Sequence, residues 1–369
     1  MSHMNGTEAL FAQSYAEARA KFLAAADAAG LDVVSHAHPL LGRDGEALAM
    51  DVARFGAADA PALLIISSAC HGVEGYCGSG VQNALLTEPS FHAAASAAGV
   101  AVLYVHGLNP YGFSWWRRVT HENVDLNRNW HDFSQPLPQN TAYETIAHHV
   151  LPSAWPPAAD NEAALAAYAA QHGPKGLQAA VTGGQYAHPQ GLFYGGHAPT
   201  WSQQTLRHVL QQHGRRCARL AWIDLHTGLG PSGHGERIFA NRNDAAALTR
   251  ARAWWGADVT SMYDGSSASA QLSGLMSFSV YDECPQAEYT AMALEYGTEP
   301  LAEVIHCLRA EQWMENHPEA PADARAAVKQ RFRDAFYTDT AVWKDRIVAQ
   351  AKEAAWQAVA GLAGQKTMS

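Results

Sequence analysis

The sequence predicts an α/β fold: a doubly wound, mixed but mainly parallel sheet with helices on both faces, extended by helices at the C-terminus. Three observations predict it. Short apolar runs at 63–67, 100–105, 220–225 and 289–296 alternate with stretches of helical periodicity. The run at 63–67 is rich in β-branched residues and bounded by Pro61 and a glycine-rich turn, which suits a strand buried on both faces of a parallel sheet. From Pro300 onward the pattern is helical only.

Taken in order, residues 8–28 have apolar side chains at helical spacing and form a helix before the main fold. Residues 31–38 and 47–55, joined by a glycine-bounded turn at 42–45, read as two strands of an antiparallel edge. After the strand at 63–67 come a helix at 78–86 and the strand at 100–105. The segment 107–138 is long, aromatic and polar, so it reads as a functional loop and not as disorder. Residues 141–149 and 158–172 look helical, and 173–196 is glycine-rich, irregular and suited to lining a cleft. A helix at 200–213 leads to the strand at 220–225. A short strand at 236–240, a helix at 244–255 and a Ser/Gly-rich covering loop at 266–285 precede the last strand. Three helices follow near 301–314, 321–336 and 342–362. No internal repeat or low-complexity linker divides the chain, so 1–369 reads as one domain, with an N-terminal helix in 1–30 and C-terminal helices in 300–369.

Composition excludes several classes. A formal charge of −10 and a pI near 6.0, with no Lys/Arg-rich run, argue against nucleic-acid binding. The five cysteines, at 70, 77, 217, 284 and 307, make neither a disulfide framework nor a paired zinc motif, and read as reduced thiols. The N-terminus lacks the features of a signal peptide, residues 1–4 look like a cloning remnant, and no apolar run reaches the roughly 18 residues a membrane helix needs. A cytoplasmic protein without a membrane partner is expected.

The chemistry gathers where the strands end. The stretch LLIISSACHGVEGYCGSG at 63–80 breaks from its strand into His71-Gly72-Val73-Glu74, just past the carboxyl edge where open α/β sheets bind ligands. Gly72 and Gly75 permit a tight turn that brings an imidazole and a carboxylate toward one cation. His226 and Glu295 end two further strands and should reach the same edge. Two imidazoles and one carboxylate leave a tetrahedral Zn²⁺ an open position, the arrangement of catalytic sites. A carboxylate beside the metal but not bound to it, Glu295, suits a general base. Arg117 or Arg118 could donate to an oxyanion, and Asn127 with Arg128 suits a substrate carboxylate. Asp125 could accept the second N–H of His71 or be a plain turn residue, and Asp224, on the face of His226, is either its partner or an ordinary strand end.

At HGVE (71–74), VDLNRNW (124–130), DLHTG (224–228) and LEYGT (294–298) the sequence resembles the zinc metallocarboxypeptidases of the carboxypeptidase A type. Within that clan it is similar to a bacterial subgroup once labelled a domain of unknown function. The resemblance implies a zinc carboxypeptidase-like fold, one Zn²⁺ held by His71, Glu74 and His226, Glu295 as base, Arg117 or Arg118 at the oxyanion, and Asn127 with Arg128 on the substrate carboxylate. Carboxypeptidases follow the third ligand with Ser-Tyr; Thr227-Gly228 instead looks like the succinylglutamate desuccinylase and aspartoacylase branch. The expected activity is zinc-dependent hydrolysis of an amide near a free carboxylate, in a small peptide or in an N-acyl amino acid. A catalytically silent metal-containing binding module is the third reading. Tyr263 and Tyr281 are candidates for a phenol over the substrate. Trp115 and Trp116 either wall a pocket or simply pack, His131 and His234 lie near the motifs, and Cys70 and Cys77 read as small buried thiols. Side-chain preference would lie in 240–290, where no motif falls, and nothing in the sequence fixes an oligomeric state.

Overall fold

Strand β1 (Val33–Leu41) and strand β2 (Ala47–Phe55) form the expected antiparallel hairpin, with Val34 paired to Val52. They are followed by β3 (Ala62–Ser67), β4 (Val100–His106), β5 (Arg219–Ser232), β6 (Gly235–Phe239), β7 (Thr260–Ser261) and β8 (Glu288–Gly297). The computed structural model describes residues 6–364; residues 1–5 and 365–369, with the expected cloning remnant, lie outside the described residues. The eight strands form one sheet in the order β1-β2-β4-β3-β5-β8-β6-β7. The central neighbours β4, β3, β5 and β8 run parallel, while β2 on one side and β6 on the other run antiparallel to them. This is the mixed, mainly parallel α/β sheet read from the sequence.

The continuous apolar runs have a direct explanation. Leu64 and Ile66 of β3 enter one core with Phe22, Val81 and Ala355. Leu63 and Ile65 enter a second core with Leu206, Val209 and Trp222. Helices therefore cover both faces, and no strand residue there can afford a charge without a partner. A third cluster joins Val73, Tyr143, Ile146 and Phe193 to Val304, Leu308, Phe332 and Phe336 at the carboxyl edge. Thus Ala341–Leu362 docks on a face of the sheet, whereas Leu301–Asn316 and Ala322–Phe336 sit over its edge. Among the described residues no helix is long and apolar enough to cross a membrane.

The structure corrects several boundaries. The first helix is Tyr15–Ala28, started by Ser14, whose hydroxyl accepts from the Glu17 amide; Glu8–Leu10 is a separate 3-10 turn. Helices also form at Pro89–Ala97, Pro110–Trp115 and Pro174–Thr182, the last two inside segments read as loops. Each opens on a proline, which fits the first turn of a helix because the amide it lacks would have no partner there. That signal was available in the sequence. The covering segment 266–285 likewise holds the 3-10 turn Met276–Phe278 and the short helix Ser279–Glu283.

One close approach fixes the edge of the sheet. The amides of Gly72 and Val73 donate to the carbonyls of Arg118 and Arg117, at 3.0 and 2.9 Å, so the aromatic segment is laced onto the turn after β3. A Cβ on Gly72 would lie 2.0 Å from the carbonyl carbon of Gly112. Gly72→Ala should therefore destabilise the protein by about 2 kcal/mol or more. Gly6→Ala, where no atom lies within 4 Å of the added carbon, should stay within about 0.5 kcal/mol, both read by urea unfolding.

Candidate metal centre

Past β3, Ala69 takes a positive φ of 58° and turns the chain off the sheet, so that His71 and the 3-10 turn Gly72–Glu74 present their side chains on one side. His226 arrives from β5. The register of β5 against β8 then sets Glu295 directly beside His226. His71 Nδ1 lies 2.8 Å from Glu74 Oε1, His226 Nδ1 lies 3.0 Å from Glu74 Oε2, and the two Nδ1 atoms are 3.2 Å apart. All three side chains are buried. Donors about 2.0–2.1 Å from a tetrahedral cation stand about 3.3 Å from one another, so this triangle is close to the size a bound divalent ion requires. The chemistry fits as well: two imidazoles and one carboxylate suit a borderline cation.

The charges are held from behind. His226 Nε2 is 2.7 Å from Asp224 Oδ2; Asp224 Oδ1 accepts from Ser67 Oγ at 2.5 Å, and Ser67 Oγ accepts from Trp222 Nε1 at 2.6 Å. Asp224 is therefore the partner of His226, not a plain strand end. Burial opposes charge on His226, but Asp224 and Glu74 outweigh it and hold its proton well above the usual imidazole range. Burial likewise opposes ionisation of Glu74, and His71 and His226 outweigh it, keeping the carboxyl far below its ordinary range.

Asp125 Oδ1 stands 3.3 Å from His71 Nε2, while Oδ2 accepts from Arg118 Nε at 3.0 Å. Arg118 Nη2 also points at His71 Nε2, at 2.7 Å, and Nη1 lies 3.3 Å from Glu74 Oε1. An arginine can only donate and an ionised Asp can only accept. Once Nδ1 of His71 is given to a cation, Nε2 keeps the proton, and Asp125 is the partner able to receive it. Arg117 does not reach this place. It extends the other way, its Nε donating to Glu311 Oε1 at 3.0 Å and Nη2 to Asn123 Oδ1 at 3.0 Å. The backbone bonds across Gly72 and Val73 fix both arginines' carbonyls on the turn, and successive side chains then diverge.

Glu295 stands apart from the triangle, its Oε1 accepting from the Leu229 amide at 3.0 Å. Burial, with Glu74 adding to it, pushes its carboxyl up to about 8. Asn127 and Arg128 lie on the 3-10 turn Leu126–Arg128, which Asp125 caps by accepting from the Asn127 amide. Asn127 Oδ1 accepts from the Met276 amide at 3.0 Å. Arg128 is buried and spends its donors on carbonyls, Nη2 to Thr182 at 2.6 Å and Nη1 to Asn127 at 2.9 Å; it makes no ion pair among the described residues. Glu295, Asn127 and Arg128 line one cavity with the triangle, Asp224 and Arg118, of about 920 Å³ with its open mouth included.

Other expectations separate. Tyr281 and Tyr263 do not line the cavity: the Tyr281 hydroxyl accepts from Asn241 Nδ2 at 2.9 Å, and the Tyr263 hydroxyl donates to the Asn241 carbonyl at 2.9 Å. Trp115 donates to the Leu41 carbonyl and Trp116 to the Tyr76 hydroxyl, so both pack outside the cavity. His131 contacts the Tyr186 hydroxyl at 2.5 Å, and His234 lines a separate surface hollow. Cys70 falls near Asp224 and His226 as a second possible donor group, but both Asp224 oxygens are engaged and burial drives the Cys70 thiol well above its usual range. The motifs missed the apolar wall. Phe193, Ile238, Met262, Leu272, Val304 and Phe336 reach it from segments with no chemical signature.

The sequence profile of the family described as "Protein of unknown function (DUF2817)" matches residues 11–350. No curated protein matches the chain. Among solved structures, it is similar to a metallo-carboxypeptidase from Burkholderia cenocepacia, at 12% identity over 88% of this chain and 68% of that one, with a TM-score of 0.42. It is similar to thrombin activatable fibrinolysis inhibitor, at 13% identity over 80% of this chain and 70% of that one, with a TM-score of 0.45. A third, ascribed to the succinylglutamate desuccinylase/aspartoacylase family, comes from Shewanella amazonensis SB2B and matches at 16% identity over 78% and 72% of the respective chains, with a TM-score of 0.37.

Two outcomes follow from the geometry. Asp224→Asn should weaken divalent-cation binding by about 10–100-fold in chelator competition, because His226 loses the carboxylate that orients it. In the cation-free protein, Glu295 binds its proton more tightly folded than unfolded, so its contribution to stability is full below about pH 4.5 and is lost as pH rises through about 8. Urea unfolding across that window should show Glu295→Gln losing less stability than the parent, by a few kcal/mol.

Proposed function

The chain belongs to the DUF2817 family, and we propose that it is a zinc-dependent hydrolase of the metallocarboxypeptidase type, cleaving an amide bond beside a free carboxylate. The observation that carries this reading is one cavity holding three things: the His71, Glu74, His226 triangle, a separate carboxylate on Glu295, and a buried arginine, Arg128, whose hydrogen bonds go to backbone carbonyls and which makes no ion pair among the described residues.

His71, Glu74 and His226 would hold Zn²⁺. When bound, the ion supplies Lewis acidity toward a carbonyl oxygen and acidifies a water molecule. Beside a bound cation, whose charge would offset burial and Glu74, Glu295 would be ionised, able to take the proton of the attacking water and return it to the leaving amine. Arg118, held by Asp125 through Nε, offers its outer nitrogens to the oxyanion that develops on the carbonyl. Asn127 turns its Oδ1 to the Met276 amide, which leaves the amide nitrogen as a donor, and Arg128 beside it pairs with the substrate carboxylate. Residues 1–369 act as one catalytic domain in this reading, and five free cysteines fit a reducing, cytoplasmic setting.

The N-acyl amino acid deacylase reading has one observation in its favour. Thr227 Oγ1 donates to the Phe336 carbonyl at 2.7 Å, and a Cβ on Gly228 would lie 2.9 Å from the Phe336 ring. The Thr-Gly pair thus brings the C-terminal helices against the site, where a compact acyl group fits more readily than a peptide chain. A silent binding module would have no use for Glu295.

The test is mass-spectrometric product identification, with zinc-loaded protein and a panel of free-acid peptides, their C-terminally amidated twins and N-acyl amino acids. Loss of the last residue from free acids alone supports the carboxypeptidase reading, cleavage of N-acyl amino acids alone supports the deacylase, and silence across the panel removes both. Glu295→Gln should keep its zinc and lose about 10²–10⁴-fold in kcat on whichever substrate is cut.

A further inference from the structure

The cavity carries its charge in one region only. Away from the triangle, Asp224, Glu295, Arg118, Asn127 and Arg128, the lining is apolar or is polar and already engaged. Ser277 Oγ donates to the Ala240 carbonyl at 2.7 Å, Thr182 Oγ1 to Gln178 at 2.9 Å and Ser269 Oγ to Ala270 at 3.0 Å.

The C-terminal helices add a wall of their own. Leu301, Val304, Ile305 and Leu308 of Leu301–Asn316 follow the i, i+3, i+4, i+7 spacing of one helix face, and all four line the cavity together with Phe336. The helix is tied down through other positions, Glu311 to Arg117 at 3.0 Å and to Lys329 at 2.5 Å. The stripe is graded: Val304 and Leu308 are buried beside Phe336, whereas Leu301, at the cavity end of the stripe's first turn, remains 37% exposed. The stripe meets the chain at Thr227 and Gly228, next to His226 and Glu295. Arg128 is held by the Thr182 carbonyl and lies over the Phe193 ring.

We propose that this stripe is the subsite for the acyl half of the substrate, and that the acyl half is therefore apolar and not acidic. The inference rests on the hydrolase reading above, which assigns the carboxylate half to Asn127 and Arg128 and the scissile bond to the metal triangle. What remains of the cavity for the other half is apolar, the Leu301, Val304, Ile305 and Phe336 wall together with Ile238, Met262 and Leu272, and of these the helical wall is the one that meets the chain beside His226. With Arg128 given to the carboxylate half and Arg118 to the oxyanion, an acidic acyl group placed there would lose its water and find no further cation, whereas an alkyl group would cover Leu301, now exposed to solvent.

The test measures kcat/KM of the zinc-loaded protein for N-hexanoyl-leucine against N-succinyl-leucine, and for acetyl-Leu-Leu against acetyl-Glu-Leu. The apolar member of whichever pair is cut should be preferred by at least about tenfold. Leu301→Lys and Ile305→Lys should each narrow or reverse that ratio while the preference for free acid over amidated twin is retained. Damage to folding alone would lower both members together and lower the melting temperature. Equal or faster cleavage of the acidic member, or variants that slow both members in step, overturns the proposal. If no substrate is cut, the hydrolase reading fails by itself; calorimetric binding of the same ligands then decides, with hexanoyl at least about tenfold tighter than succinyl supporting the subsite and equal affinity overturning it.

Discussion

Two imidazole nitrogens held 3.2 Å apart around one buried carboxylate are the constraint on which the rest of this structure depends. Such a group of charges is costly to bury unless each member is paired, and the surroundings supply the pairs. Trp222, Ser67 and Asp224 form a chain of hydrogen bonds behind His226; Asp125 and Arg118 stand behind His71. These residues come from different strands and loops, so the sheet, the turn after β3 and the aromatic segment must all be in place together for any one of them to be satisfied.

The aromatic segment is the least strand-like part of the chain near the site, yet it is held tightly. Its backbone is bonded to the turn at Gly72 and Val73, and the lack of a side chain at Gly72 lets the two backbones meet. That contact chooses between the arginines. Arg118 is turned toward Glu74 and Asp125, and Arg117 is turned toward Glu311 of the C-terminal helices. One arginine serves the cavity while its neighbour anchors the wall that closes it. The C-terminal extension is thus part of the site's construction, through both Phe336 and Glu311.

The strands, their order of appearance and the residues that end them were legible because burial on both faces leaves continuous apolar runs, and because a strand followed by His or Glu breaks that pattern sharply. Leu63 to Ser67 and the HGVE turn are the clearest case. The short helices at Pro110 and Pro174 were legible in principle through their opening prolines, although glycine and aromatic content pointed to loops. Tyr263 and Tyr281 were singled out for their phenols, but both hydroxyls serve Asn241, a buried amide that no motif marks.

By itself the sequence determined which side chains end the strands, since strand periodicity and the carboxyl-edge rule need only local pattern. It thereby placed His71, Glu74, His226 and Glu295 at one edge. The tertiary structure alone decided the pairing of His226 with Asp224, the choice of Arg118 over Arg117, and the apolar wall from Leu301 to Phe336. Those depend on strand register and on where distant helices come to rest. Apolar side chains carry the same signature whether they fill a core or line a cavity, and only packing tells the two apart.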